Sequence, residues 1–554
     1  RAVYCGDGGV LVRFEGDVSG VHPEFIVGRL VHRRRERVTD GIADEAEHFH
    51  WRDERVGAYK MTRSDRLGCR AAGRDGIEYR IPQDIHADAG SVQTVSRLRH
   101  PLVVTGIAVL LTVPWVTVFL TGTPLGEYTT VGVAGLAVVG ASFLLAWGAE
   151  TAEKDVPRPF AIAVLAILAV APEYAVDAFY AWGAGTNGAT AAACKQLSAA
   201  QIEAQATPLA EGCHSANLAV ANMTGANRIL IGLGWSGIAL YSVWRVAKTH
   251  DAGIINREGT LSDAVALDHD ISLEITFLFL ATAWAFLVPL GGGIDVVDTL
   301  VLVGLYVAYI GIVIRGDVDP VEEHVGVPAY FQRWRRSARV PLVLTLFAFS
   351  GALIFTAVEP FALSLEHIGL DLGVPEFFMI QWIAPLASES PELIVVAVLV
   401  NKARSTAGFN ALISSKLNQW TLLIGTIAVV YSIGIGSIGT LPFDAKQSAE
   451  IWITAAQSFF AISLLVNFEI SAREAIVLFV LFISQVLLEF TLIQDYLVLP
   501  IDAHQLLLGY TVFYIVAGIA LFIKRRKSLG LLFQEAGDAG RSALGRPRKY
   551  PHDD

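Results

Sequence analysis

Cysteine is scarce in this 554-residue chain: Cys5, Cys69, Cys194 and Cys213 are the four, and their spacing matches no metal-ligand motif. There is no G-x-x-x-x-G-K-[ST] loop, so nothing in the sequence is built to cradle ATP phosphates. Charged residues make up 17%, and the net charge of −11 excludes the basic surface that nucleic acid would need as a partner. Apolar residues reach 53%, too many for an ordinary soluble protein. No cofactor motif is visible, and any directed transport must draw on a gradient.

Long hydrophobic runs account for the excess. From residue 101 onward, twelve apolar stretches approach the roughly 20 residues needed to cross a bilayer: 102–121, 127–149, 159–183, 214–243, 271–290, 297–314, 340–363, 376–400, 407–436, 450–467, 475–495 and 504–523. The lipid bilayer is therefore the expected surroundings. With the N-terminus inside, the inner loops collect nineteen basic residues, among them Arg97, Arg245, Arg315, Arg339, Arg473 and Lys524, whereas Lys195 and Lys446 alone fall outside. That asymmetry satisfies the positive-inside rule. It predicts an all-α polytopic protein with both termini cytoplasmic, in the plasma membrane.

Two of the hydrophobic segments carry acids. One reads Val170-Ala171-Pro172-Glu173 with Asp177 one turn later; the other reads Ser388-Glu389-Ser390-Pro391-Glu392. A carboxylate at the bilayer centre costs about 2.5–3.5 kcal/mol on insertion scales, so it marks function. A proline before the acid removes a backbone donor and is expected to break the helix there, freeing carbonyls toward a cation. The helix map sends the two segments across the membrane in opposite directions. Paired interrupted helices in inverted halves are the signature of a secondary transporter.

The expected layout follows: a soluble or disordered extension at 1–96, rich in Arg, Asp and Glu and possible to read as not native; an extra helix at 102–121; five-helix halves at 127–314 and 340–495 joined by a cytoplasmic linker at 315–339; an extra helix at 504–523; and a cytoplasmic tail at 524–554. Glu150, Glu359, Glu469 and Glu489 fall toward helix ends, where water would reach them. Cys194 and Cys213 flank an external loop that permits a disulfide in an oxidising compartment; two free thiols are the other reading.

Each acidic helix precedes one dense in amides and hydroxyls. The first runs Asn217 to Arg228 and includes Asn222, Thr224 and Asn227; the second runs Asn410 to Gln419 and includes Ser414, Ser415, Lys416 and Asn418. Hard cations take oxygen ligands, which carboxylates, amide oxygens and hydroxyls supply.

Over about residues 127–495 the chain resembles the sodium/calcium exchanger (cation/calcium antiporter) superfamily. Pro172-Glu173 and Pro391-Glu392 resemble its G-T-S-x-P-E motifs, and Ala221-Asn222-Met223-Thr224-Gly225-Ala226-Asn227 resembles its G-N-x-x-G-S-N motif. The resemblance implies a ten-helix core exchanging cations by alternating access, with Glu173 and Glu392 as the central metal ligands and Asn227 beside them. Glu389, Asp177, Asn222, Ser415 and Gln419 complete the candidate ion-binding set. Calcium moved against sodium is the exchange implied; a cation/proton antiporter on the same scaffold is the alternative, and an intramembrane carboxylate enzyme a more distant one.

The departures are specific. Leu168-Ala169-Val170 and Ala387-Ser388-Glu389 stand where the family has G-T-S, and Lys416 stands where the second asparagine belongs. A charged lysine has donors only and cannot ligate a cation. Lys416 can be read as a built-in cation filling one subsite, as a titrating group, or as a static partner of Glu389 or Glu392. Arg228 raises the same question, with an ion pair to Asp177 or Glu173 as the expected answer. Four intramembrane acids against Arg228 and Lys416 leave a formal surplus of two negative charges.

Overall fold

A computed structural model describes residues 100–152, 154–155, 171–249, 251–259, 261–315, 326–401, 403–496 and 500–544, together with four short strands near the N-terminus. Two units separate, Arg1–Arg97 and Leu98–Asp554. In the first, β1 (Ala2–Gly6) pairs antiparallel with β2 (Gly9–Arg13), and β3 (Arg70–Ala71) with β4 (Ile77–Glu78). The remainder of the 1–96 extension, Pro157 to Val170 of the first acidic segment and 316–325 of the linker lie outside the described residues.

The second unit is helical. Its elements are α1 (Pro101–Thr121), α2 (Glu127–Ala152), α3 (Ala171–Thr186), α4 (Pro208–Ile229), α5 (Ser236–Thr249), α6 (Ser272–Ala285), α7 (Val296–Arg315) and α8 (Arg336–Asp371). There follow α9 (Ala384–Asn401), α10 (Ser405–Asn418), α11 (Ile424–Ile435), α12 (Ala445–Leu465), α13 (Ala472–Ile493), α14 (Ala503–Lys524) and α15 (Arg526–Ala543). Among the described residues nine helical stretches are long and apolar enough to cross a membrane, and helix overlaps every one of the twelve apolar runs. The chain is thus a polytopic helical membrane protein.

Lipid offers no hydrophobic drive between helices, so close approach depends on small residues. A Cβ on Gly185 of α3 would lie 2.5 Å from the Tyr431 carbonyl of α11, and one on Gly434 3.0 Å from the Trp182 carbonyl. The helices therefore touch backbone to backbone. Gly148 of α2 sits equally close under Leu346 and Phe347 of α8, and Gly140 under the Ala108 carbonyl of α1.

Among the described residues, three π turns interrupt the helices. Leu230–Trp235 joins α4 to α5, Gln419–Leu423 joins α10 to α11, and Met379–Ile383 precedes α9. Such turns widen the backbone ladder and recur at functional sites. The expected break at Pro391 is not where the irregularity falls: α9 runs unbroken from Ala384 to Asn401 through Pro391. A helix survives one missing N–H when its neighbours hold it, so the cost there is the unmade bond to the Ala387 carbonyl rather than a break.

Short strands cross between the two halves of the bundle. β5 (Ile254–Ile255) and β6 (Ala264–Ala266) form a sheet with β9 (Glu469–Ser471), and β7 (Gly293–Ile294) pairs with β8 (Leu441–Pro442). The tail is more than a loose extension. α15 packs on α6 and α7, burying Leu532, and Glu535 hydrogen-bonds His269 at 2.8 Å.

Candidate functional site

The acids of α3 and α9 meet the amide-rich helices α4 and α10 in the middle of the bundle. Glu173 (2% exposed), Asp177 (1%) and Glu389 (1%) are buried, and Glu392 is half-buried. Helical spacing sets the arrangement: Glu173 and Asp177 are four residues apart and share one face of α3, while Glu389 and Glu392 are three apart on α9. Ser388 reaches Glu173, joining the two acidic helices, and Glu389 is close enough to Glu173, Glu392 and Lys416 for their charges to interact.

Each carboxyl has a partner on a neighbouring helix. Asn222 Nδ2 donates to Asp177 Oδ1 at 2.8 Å, Ser415 Oγ to Glu392 Oε2 at 2.8 Å, and Gln419 Nε2 to Glu389 Oε1 at 2.5 Å. Glu173, Asp177, Glu389, Glu392, Asn222, Ser415, Gln419 and Lys416 thereby form one continuous polar core. Among the described residues, Asp177 Oδ2, Asn222 Oδ1 and Gln419 Oε1 are buried acceptors with no donor. Oxygens left this way are costly unless something positive arrives. Among the described residues no three acidic, histidine or cysteine side chains converge tightly enough to hold a metal ion as they stand. Glu173 and Glu392 as metal ligands would need the amide and hydroxyl oxygens to complete the shell.

Asn227 and Lys416 occupy matching places, each three residues before a π turn, one at Leu230 and one at Gln419. They face each other. Lys416 Nζ donates to Asn227 Oδ1 at 2.6 Å and to the Asn227 backbone carbonyl at 3.2 Å, and the ammonium lies over the Trp420 ring at 4.3 Å. Lys416 is fully buried.

Arg228 departs from expectation. It pairs with neither Asp177 nor Glu173; its Nη2 donates to Glu450 Oε2 on α12 at 2.5 Å and its Nη1 to Gln485 on α13 at 3.2 Å. Successive helical residues point about 100° apart, so Arg228 is turned away from the face that Asn227 presents. The charge sum changes with it. Glu450 neutralises Arg228, leaving Glu173, Asp177, Glu389 and Glu392 against Lys416 alone.

Glu489 is likewise not at a wetted helix end; it is wholly buried beside Gln485. Glu450 and Glu489 were missed as interior groups because one acid in an apolar helix does not reveal its face. The i, i+4 pair Gln485 and Glu489, two polar residues on one side of α13, is the signal that was there to read.

Cys194 and Cys213 form a disulfide with their Cα atoms 5.7 Å apart, tying the loop after α3 to the start of α4. One residue on, His214 Nε2 meets Glu376 Oε2 at 2.7 Å.

A helical bundle with a buried carboxylate and amide centre on interrupted helices defines a membrane cation transporter. Residues 127–315 and 342–491 match the sodium/calcium exchanger protein family, and the chain belongs to that family. A crystal structure of an H+/Ca2+ exchanger, CAX, is 40% identical, with 79% of this chain and 98% of that one covered at a TM-score of 0.67. A Ca2+/H+ antiporter, YfkE, is 13% identical over 71% of this chain and 99% of its own at 0.46, and the sodium-calcium exchanger NCX_Mj 15% identical over 65% and 97% at 0.40. No curated protein matches. The relatives are antiporters that exchange cations, and the chain is a transporter rather than an enzyme.

Proposed function

We propose that this protein exchanges calcium, or a cation like it, for protons by alternating access at the Glu173–Glu389–Glu392 centre. Twelve spans, arranged as two inverted five-helix halves with an extra helix at each end and both termini in the cytoplasm of a plasma-membrane protein, are part of the same reading. Small inorganic cations and lipid are the partners, with no cofactor and no ATP.

One observation carries the choice of proton over sodium: the Lys416 ammonium sits on Asn227 within the centre. A donor seated there occupies the oxygen that a bound sodium ion would need. Four acids against one lysine give a formal surplus of three negative charges when all are ionised. A divalent cation answers two of them in one state of the cycle, and protons on the carboxyls replace it in the other. The missing hydroxyls at Leu168-Ala169-Val170 also remove oxygens that a second, weakly held cation would require. The 40% identical relative is itself described as an H+/Ca2+ exchanger, which supports the reading.

Sodium/calcium exchange remains the second reading, favoured by the family match. The test is calcium uptake into sealed vesicles containing the purified chain, driven by a pH gradient or by a sodium gradient, with Glu392→Gln as control. Uptake driven by pH and abolished in the variant is expected. Uptake driven by sodium at clamped pH would replace the proton reading with the sodium one.

A further inference from the structure

A second buried polar cluster lies outside the ion centre, where α4, the π turn Met379–Ile383, α12 and α13 meet. Arg228, Glu450 and Glu489 are at most 1% exposed, as are Gln381 and Gln485. Both terminal guanidinium nitrogens and the Gln381 and Gln485 amides are committed, while Arg228 Nε meets no acceptor among the described residues. Arg228 Nη2 and Gln381 Nε2 both donate to Glu450 Oε2, at 2.5 and 3.0 Å; Arg228 Nη1 donates to Gln485, whose Nε2 donates to Glu489 Oε2 at 2.6 Å. The guanidinium carbon lies 4.7 Å from the centre of the Trp382 ring.

Three acceptors are left over among the described residues, Gln381 Oε1 and one oxygen of each carboxyl. Glu450 Oε1 and Glu489 Oε1 are buried with no donor, yet the two carboxyls are within hydrogen-bonding reach of each other. Two ionised carboxylates cannot hydrogen-bond; with one proton between them they can. Charge leads to the same place. Within the cluster one guanidinium faces two carboxyls, and a buried charge without a partner is far costlier than a neutral acid. Lys446 of α12 acts on Glu489 from farther off, Tyr514 of α14 lies beside Arg228, and Lys416 of α10 feels Arg228.

We propose that Glu450 and Glu489 form a proton-binding site, holding one proton between two carboxyls apart from the cation centre. The dyad of an aspartic protease shares a proton for the same reason. Its position makes it responsive to the centre. Arg228 directly follows Asn227 on α4, and the backbone of Gln381 presses on Gly225 two residues before Asn227, where a Cβ would come within 1.8 Å of the Gln381 carbonyl. A displacement of α4 that alters Asn227 also alters the Arg228–Glu450 contact, and with it the hold on the proton. The site is independent of which cation the transporter carries.

Infrared spectroscopy of the full chain in lipid, at pH about 7 where exposed carboxyls with ordinary values near 4 are ionised, reads the proton as the carbonyl stretch of a protonated carboxyl. The expected result is that Glu489→Gln lowers this band by one carboxyl's worth, with helix content and calcium binding retained, and that Glu489→Asp restores it at a shifted frequency. A band of unchanged amplitude in folded Glu489→Gln overturns the proposal. Should that variant fail to fold, the native chain still decides: absence of any protonated-carboxyl band at this pH overturns it equally.

Discussion

Lys416 Nζ lies 2.6 Å from Asn227 Oδ1, so the two residues at corresponding places before their π turns are bonded directly to each other. One half of the centre supplies an acceptor and the other a cation, where two amides would give two ligands. Replacing Lys416 with Asn supplies a neutral oxygen ligand and removes the basic group. Calcium affinity is expected to rise about tenfold or more, equivalent to at least about 1.4 kcal/mol, measured by calorimetry on the purified protein. Charge moved per calcium, read from the voltage dependence of vesicle uptake, is expected to shift by one.

Gly225 admits no side chain. The nearest atom to an added Cβ is a backbone oxygen, that of Gln381 at 1.8 Å, and it cannot swing aside. Gly225→Ala must push α4 off the π turn that precedes α9. A loss of about 1–3 kcal/mol is expected as a lower thermal midpoint, together with loss of transport, because Asn222 and Asn227 ride on the displaced helix. Gly237, whose Cβ would meet open space, is the matched control and should tolerate alanine.

The disulfide Cys194–Cys213 closes a loop of 19 residues. In the chain-entropy picture such a loop contributes about 3 kcal/mol. Cys213→Ser is expected to lower the thermal midpoint, while transport at room temperature is retained because no atom of the ion centre depends on the bond. A reductant should reproduce the shift in the native chain and leave the variant unaffected.

Asp155, just past α2, accepts from Arg339 Nε at 2.5 Å and Nη2 at 2.6 Å. The guanidinium holds its carboxyl below the ordinary value of 3.8. A lowered carboxylate stabilises the fold fully above its unfolded value, and that contribution fades as pH falls through the folded one. Thermal scans of native protein and Asp155→Asn should therefore differ above pH about 4 and converge as the medium is acidified beyond it.

Much of this was legible before any coordinates. Apolar run length marked where helices fall, and Glu173, Asp177, Glu389 and Glu392 stood out because acids are rare in lipid-length segments. Counting residues from Glu392 by the spacing of the resembling family's motifs put Lys416 at the position that corresponds to Asn227. The partners of Arg228 were not legible, because Glu450 and Gln485 come from helices more than 200 residues away in sequence and no periodicity joins them. The π turns also leave no mark in composition. Pro391 drew attention to the wrong point, since the backbone widens at Met379–Ile383, a stretch with neither glycine nor proline.

The small strands at the two ends of α6 and α12 constrain what such a machine can do. β6 holds β9 at one end of this helix pair and β7 holds β8 at the other. We expect two such backbone clasps, one at each end of the helix pair, to resist a hinge-like parting of the halves. On the alternating-access reading, the motion left is rotation about the line joining the clasps, a see-saw whose fulcrum passes beside the helices it must tilt.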